Sequence, residues 1–246
     1  MREAHVQHRE RLRWAGLAVV AALGLVAAAL ISTRTGAGRW LDDAVRDWVL
    51  NELPGSFRRP LSDIARPLVI VALAPVVVVL ALLAFVRRSW RRAIAGVVVP
   101  AAATLLALEV RVQDVFGIGD DAFPSNHAAA GLGLLVGVAI VWPRRVTRRG
   151  LGALAAAGFG VGLGNVSWYA HLPRDVVGSV LLVVCVTALV LAVLGGDSPN
   201  LADDVTAARA SAKAADDPRP TGPRPEASDG AVPSELQEPT ERQTRA

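Results

Sequence analysis

The stretch Phe-Pro-Ser-Asn-His at residues 123–127 stands where a loop rich in Asp and Gly gives way to an apolar run that ends at Trp142. A Ser or Asn directly before a helix can cap its free backbone N–H groups. The start of a helix also carries roughly half a positive charge and attracts phosphate. The stretch therefore predicts a helix that begins at an anion site, with His127 in its first turn.

A second polar stretch, His-Leu-Pro-Arg-Asp at residues 171–175, stands at another boundary between loop and apolar run. On a helix, residues four apart share one face, and Pro173 is tolerated in a first turn. Asp175 can then bind the proton-bearing nitrogen of His171 and leave the other nitrogen free to attack. With His127 as proton donor and Ser125 as a ligand of the phosphate oxygens, these parts predict phosphoryl transfer through a phosphohistidine.

The composition indicates a polytopic membrane protein. Of the 246 residues 52% are hydrophobic, and the mean hydropathy is +0.40. A block of about 20 apolar residues can span a bilayer. These blocks predict an all-α bundle of six transmembrane helices, and the glycines of the fifth (158, 160, 162 and 164) suggest a close helix–helix contact face. The six blocks are residues 14–32, 67–86, 93–110, 125–142, 151–168 and 176–195.

Charge predicts the orientation and excludes a nucleic-acid partner. The net charge is +4, but the arginines gather in short turns between the apolar blocks, around residues 87–92 and 144–149. Such turns are cytoplasmic by the positive-inside rule. Both termini are therefore predicted on the cytoplasmic side of the plasma membrane, with both polar stretches facing outward. The first outer loop carries six arginines mixed with acidic residues, which argues against this orientation.

The remaining segments divide the chain into three parts. Residues 1–13 form a basic N-terminus, residues 14–196 the membrane domain, and residues 197–246 a polar tail too poor in large apolar residues to fold. The first apolar block is long for a cleaved signal peptide and is interpreted as a retained span. Within the first outer loop, Trp40, Leu41, Val45 and Trp48 recur at helical spacing and predict an amphipathic helix on the bilayer surface, with Asp42 on its polar face.

The two polar stretches resemble motifs of the type 2 phosphatidic acid phosphatase superfamily, which shares a core with vanadium haloperoxidases. Residues 124–127 resemble its Pro-Ser-Gly-His motif, and His171-x-x-x-Asp175 resembles the end of its Ser-Arg-x5-His-x3-Asp motif. The resemblance implies His171 as nucleophile, Asp175 as its partner, His127 as general acid and Ser125 as a phosphate ligand. It also implies a membrane phosphatase without a cofactor, acting on a lipid phosphate or an isoprenyl diphosphate. The many arginines against one lysine suggest a GC-rich bacterial source.

The family pattern is incomplete at its arginines. Asn165 stands six residues before His171, where the family has arginine, and Asn126 replaces the glycine of the second motif. The family's first motif is Lys-x6-Arg-Pro. Arg111 can stand for its lysine, but Ile118 and Gly119 occupy the positions of its arginine and proline. Ser125, Asn126, Arg111, Asn165 and Arg174 are therefore the predicted substrate-binding set.

Four functions remain open from the sequence. The first is a membrane lipid phosphatase or diphosphatase, and the second is a catalytically weakened relative that binds lipid phosphates or serves as a scaffold. The third is a metal site formed by His127, His171 and Asp175, which are plausible ligand types. The fourth is a serine hydrolase using Ser125, which lacks the Gly-x-Ser-x-Gly elbow.

Overall fold

A computed structural model describes residues 2–118, 123–144, 146–167 and 171–194, and the side chains of residues 2–6 and 64–66 are not considered. The described residues form helices without β-strands. The α-helices are α1 (Arg2–Arg34), α2 (Gly36–Asp47), α3 (Gly55–Arg59), α4 (Arg66–Val86), α5 (Trp90–Val112), α6 (Asn126–Val141), α7 (Arg148–Ser167) and α8 (Pro173–Leu194). Two π-helical segments, Trp48–Glu52 and Pro60–Ala65, flank α3.

Five of the described helices are long and apolar enough to cross a membrane. They are Gln7–Arg34 within α1, Pro67–Val86 within α4, and the whole of α5, α7 and α8. The predicted fourth span is α6, which has 16 residues and is shorter than the about 20 that a bilayer requires. The structure thus gives five helices of spanning length and a shorter sixth, so the predicted count of six spans is not established.

The short helix α6 lies at the centre of the bundle and contacts α4, α5, α7 and α8. Most of its side chains are buried against these neighbours. The helix ends before Trp142 because Pro143 follows, and the residue before a proline disfavours helical backbone. Protein rather than lipid surrounds α6, so its length is not set by the bilayer.

Small residues bring α5 and α6 together more closely than they bring α7 to its neighbours. A Cβ on Gly137 would lie 2.7 Å from the Gly96 carbonyl oxygen of α5. On α7, two of the predicted glycines meet the ends of side chains: a Cβ on Gly158 would lie 3.3 Å from Leu132 Cδ2, and one on Gly162 would lie 3.0 Å from Val176 Cγ1. The close backbone contact between neighbouring spans is therefore made by α5 and α6, through Gly96 and Gly137.

One end of the bundle collects the basic turns. From the start of α5, Arg92 donates hydrogen bonds to the carbonyl oxygens of Ile140 (3.2 Å) and Trp142 (2.9 Å). These are free carbonyls at the C-terminus of α6, where a cation is favourable. The bonds join the arginine-rich turn before α5 to the arginine-rich turn after α6. The start of α6 lies about 24 Å away along its axis, at the opposite end.

At that opposite end the chain turns sharply from α1 into α2. Thr35 caps α2 by accepting the Gly38 N–H at 2.9 Å. Gly38 packs against the end of α1 so closely that a Cβ would lie 2.7 Å from Ser32 Cα and would overlap the Ile31 carbonyl oxygen. The helix is amphipathic, as predicted, and Trp40 is exposed. Asp42, however, is buried one turn after Gly38, so its placement among the solvent-facing polar residues was wrong.

Several sequence predictions concern residues outside those described. They include the disordered tail at residues 197–246, the ends of the predicted fifth and sixth spans at Trp168 and Gly195, Gly119 in the first motif, and Arg145 in a basic turn. The basic N-terminus at residues 1–13 is helical from Arg2 and continuous with α1.

Replacing Gly38 with Ala should lower the melting temperature of the detergent-purified protein. The added methyl group overlaps the backbone of α1, so α2 must shift. Gly36→Ala is the matched control, because nothing lies within 4 Å of a Cβ there and Ala favours a helix by about 1 kcal/mol. Equal melting temperatures for the two variants would contradict the close packing of α2 on α1.

Candidate active site

His171 lies between a serine and a carboxylate. Its Nε2 is 3.2 Å from Ser125 Oγ at the start of α6, and its Nδ1 is 3.4 Å from Asp175 Oδ2 in the first turn of α8. Ser125 and Asp175 are completely buried, and the His171 side chain is only 7% exposed. Ser125 and His171, which are 46 positions apart in the sequence, thus come into contact.

The first turn of α8 explains how Asp175 reaches His171. Pro173 is the first helical residue, a position where its missing N–H costs nothing. Asp175 Oδ2 accepts the Leu172 N–H at 2.8 Å, as the third residue of a helix does in a capping box. His171 precedes the helix, so the predicted placement of His171 and Asp175 on one helix face was wrong, although the two side chains do meet. The cap, not helical periodicity, brings them together.

Ser125 is the N-cap of α6, as its sequence context predicted. Its Oγ accepts the Ala128 N–H at 3.3 Å, and its own N–H donates to the Asp175 carbonyl oxygen at 3.2 Å. The preceding Phe123 is buried and stacks edge-on against Phe116, with 5.4 Å between ring centroids. A Cβ on Gly178 would lie 2.5 Å from the Phe123 ring, so this glycine makes room for the aromatic anchor of the loop.

Ser179 joins the starts of α6 and α8. Its buried Oγ is 2.8 Å from the Ser125 carbonyl oxygen and 2.7 Å from that of Asp175. A hydroxyl has one proton, so the two carbonyls share a single donor. No sequence motif points to this serine. The available signal was a hydroxyl one turn after Asp175 in an otherwise apolar run.

Asn165, at the position of the family's arginine, lies in the same cluster. It is completely buried on α7, its Nδ2 donates to the Val161 carbonyl oxygen at 2.8 Å, and its Oδ1 is 3.4 Å from Ser125 Oγ. The residue therefore contacts the serine while its amide nitrogen is tied to its own helix. It supplies no positive charge.

The other predicted site residues lie around this cluster or apart from it. Asn126 opens α6 and His127 is exposed one residue further on. The Arg174 guanidinium lies 3.7 Å from both Asp42 Oδ2 and Asp175 Oδ1. Arg111 is near the end of α5, and within the described residues it makes no hydrogen bond or ion pair to Ser125, His171 or Asp175.

Buried polar atoms without a hydrogen-bond partner among the described residues gather at this end of the bundle. Native proteins contain few such atoms, and each calls for an explanation. A site that receives a polar ligand provides one, because the ligand would satisfy atoms that face it. The atoms of this set that are not part of an ion pair described above are Arg46 Nε, Asn126 Oδ1 and Ser167 Oγ. His171 Nδ1 is paired with Asp175, and Asp42 Oδ2 and Asp175 Oδ1 are paired with Arg174.

Asp42 extends the cluster to α2. Its Oδ1 accepts the Arg174 backbone N–H at 2.9 Å. Burial raises the pKa of the Asp42 carboxyl above its usual value, while the hydrogen bond and the charge of Arg174 oppose that rise. A functional role for Asp42 was missed because a polar residue on an amphipathic helix ordinarily faces water.

The metal hypothesis is not supported by the geometry. Among residues 2–118, 123–144, 146–167 and 171–194, no group of three His, Cys, Asp or Glu side chains is arranged to hold a metal ion. His127, His171 and Asp175 are all within these ranges and do not form such a group.

Comparison with known proteins supports the family assignment. Residues 109–197 match the family model described as the PAP2 superfamily, and this segment contains every predicted site residue. No curated protein and no solved structure matches the chain. The match covers about a third of the chain, and it confirms the resemblance to the type 2 phosphatidic acid phosphatase superfamily read from the motifs. Together with the apolar helices, the match indicates a membrane protein that is similar to a superfamily composed mainly of phosphatases.

Replacing Ser179 with Ala should destabilise the folded protein by about 0.5–1.5 kcal/mol, because the donor shared by the Ser125 and Asp175 carbonyl groups is lost while each carbonyl keeps a backbone N–H donor. The measurement is thermal unfolding in detergent. Thr187→Val is the control, since that hydroxyl bonds only the Val183 carbonyl oxygen of its own helix. If both variants unfold alike, Ser179 does not hold α6 and α8 together.

Proposed function

We propose that the protein is an integral-membrane phosphatase that removes phosphate from a lipid phosphate or an isoprenyl diphosphate through a phosphohistidine. One observation carries this proposal: His171 is held with Nδ1 3.4 Å from the buried Asp175 carboxylate and Nε2 3.2 Å from Ser125 Oγ. The family match supports the reaction class.

The carboxylate determines which nitrogen of His171 can attack. A negative oxygen beside Nδ1 favours the tautomer that carries its proton there, so the lone pair is on Nε2. Without substrate, the Ser125 hydroxyl can donate its single proton to that lone pair, 3.2 Å away, or to Asn165 Oδ1 at 3.4 Å. When a phosphate group enters, Ser125 turns its proton to a phosphate oxygen and uncovers Nε2. Ser125 thus serves the imidazole in the resting site and the phosphate during reaction.

The reaction then proceeds in two balanced steps. His171 Nε2 attacks phosphorus, the bond to the lipid oxygen breaks, and His127 protonates the departing oxygen. Asp175 stabilises the positive charge that develops on the phosphorylated imidazole. A water molecule, deprotonated by His127, then attacks the phosphohistidine and releases inorganic phosphate. His171 and His127 return to their starting protonation states.

The start of α6 is suited to the phosphate oxygens. Asn126 and His127 form the first turn of α6, where backbone N–H groups point out of the end of the helix. Such groups, with the positive end of the helix dipole, bind anions. They compensate in part for the arginine that Asn165 replaces. Arg111 remains the candidate cationic ligand, because the Arg174 guanidinium lies between Asp42 and Asp175.

The two ends of the bundle support an outward-facing site. The arginine-rich turns joined by Arg92 lie at the end opposite the His171 cluster, and such turns face the cytoplasm. With α1 beginning at the basic end, the N-terminus is cytoplasmic and the site faces outward in the plasma membrane.

A catalytically weakened relative that binds lipid phosphates or acts as a scaffold is the second candidate. The specific observation in its favour is Asn165, which is completely buried and bonded to Val161 where the family has arginine. Measurable lipid-phosphate binding without turnover by the purified protein would favour this function over the first.

Replacing His171 with Ala should reduce phosphate release from lipid phosphates to the background of empty micelles, because the attacking nitrogen is gone. The assay is a phosphate-release panel in detergent with phosphatidic acid, lysophosphatidic acid and isoprenyl diphosphates. His8→Ala is the control, since His8 is an exposed histidine near the N-terminus. Full activity in the His171 variant would refute the nucleophile assignment.

Replacing Ser125 with Ala distinguishes the phosphatase from a serine nucleophile. The Ser-His-Asp distances also fit a catalytic triad. If Ser125 is a phosphate ligand, the Ser125→Ala variant should lose about 10²–10³-fold in kcat, as enzymes do when one oxyanion donor is removed, and should retain measurable turnover. The trapped intermediate should be acid-labile, as phosphohistidine is. An acid-stable intermediate that disappears in Ser125→Ala would assign the nucleophile to the serine.

A further inference from the structure

The helix α2 contributes a buried carboxylate to the start of α8, which lies more than 130 residues away in the chain. Asp42 Oδ1 accepts the Arg174 N–H at 2.9 Å, and Asp42 Oδ2 lies 3.7 Å from Arg174 Nη1. The Asp42 side chain is 8% exposed and that of Arg174 is 12% exposed. An aspartate on the polar face of a surface helix, with no contact to the rest of the protein, would be exposed to solvent.

Arg174 connects this carboxylate to the one that binds His171. Its Nε lies 3.7 Å from Asp175 Oδ1, while Asp175 Oδ2 accepts the Leu172 N–H and faces His171 Nδ1. The guanidinium is therefore placed between two buried carboxylates, one on each side. A shift of Arg174 would change the field and the orientation of the carboxylate that sets the His171 tautomer.

The position of Asp42 is itself firmly set. Gly38, one turn earlier, is in contact with the backbone of α1, and Val49 is buried further along the same side. The helix α1 in turn packs along α8. Asp42 thus approaches Arg174 from α2, which packs on α1, and α1 in turn packs on α8.

We propose that Asp42 is a positioning residue of the phosphotransfer site: through Arg174 it holds Asp175 in the orientation that directs His171 Nε2 toward phosphorus. This inference rests on the proposed function. It assigns α2 a role in catalysis in addition to any contact with lipid. Among the described residues Asp42 contacts Arg174 and not the His171 imidazole, so its effect should appear in the chemical step and not in substrate binding.

The test compares Asp42→Asn with Asp43→Asn. The asparagine keeps an oxygen that can accept the Arg174 N–H but removes the charge that faces the guanidinium. Asp43 is exposed on the same helix, so its variant makes the same change in net charge without touching the site. We expect Asp42→Asn to lower kcat roughly tenfold to a hundredfold with KM nearly unchanged, as small displacements of catalytic groups do. Asp43→Asn should behave as wild type.

A second comparison shows whether Asp42 acts through Arg174. In an Arg174→Ala background, adding Asp42→Asn should cause no further loss of kcat, because the link is already broken. Losses that multiply, or an Asp42→Asn variant with the kcat of Asp43→Asn, would overturn the proposal. A loss confined to KM would also overturn it.

A spectroscopic readout separates this proposal from the proposed function. The ring N–H proton of His171 in nitrogen-15-labelled protein, assigned by its absence in His171→Gln, reports the contact with Asp175 without any turnover. We expect its NMR signal to move in Asp42→Asn and to stay in place in Asp43→Asn. If wild type releases no phosphate but this signal moves, the proposed function fails while the positioning link stands. If the signal is unchanged, the link is refuted whether or not the protein is active.

Discussion

The buried carboxylate of Asp175 is the feature on which this end of the molecule depends. A carboxylate without solvent is costly unless it is hydrogen-bonded or paired, and Asp175 is completely buried. Its surroundings meet that requirement with the Leu172 N–H, the His171 imidazole, the Arg174 guanidinium and the positive end of α8. The interactions that make burial of this charge tolerable are the same ones that orient His171.

The central helix α6 connects this site to the rest of the bundle. Its first residue follows the N-cap Ser125, which contacts His171, and its last turn is capped by Arg92. The neighbouring α5 approaches it through Gly96 and Gly137, so the helix has little freedom to slide. A rigid central helix with a polar contact at each end fixes the depth of the site relative to the basic turns.

Sequence patterns predicted the positions of most helices well, but they predicted the contacts between helices less well. The second apolar block matched the candidate span Pro67–Val86, and Pro173 opened α8 as its missing N–H implied. The prediction for α6 overstated its spanning length because hydropathy does not reveal that a helix is enclosed by protein. The i,i+4 interpretation of His171 and Asp175 joined the correct residues for the wrong reason, since a capping contact and a helix face share that spacing.

The sequence by itself determined that this is an all-α membrane protein with two polar stretches at helix starts, because hydropathy, capping residues and motif spacing are local properties of the chain. Only the tertiary structure decided that Ser125 meets His171, that Asn165 fills the position of an arginine, and that Asp42 turns inward to Arg174. These contacts join residues 40 to 132 positions apart. They depend on how the helices pack, which no local pattern encodes.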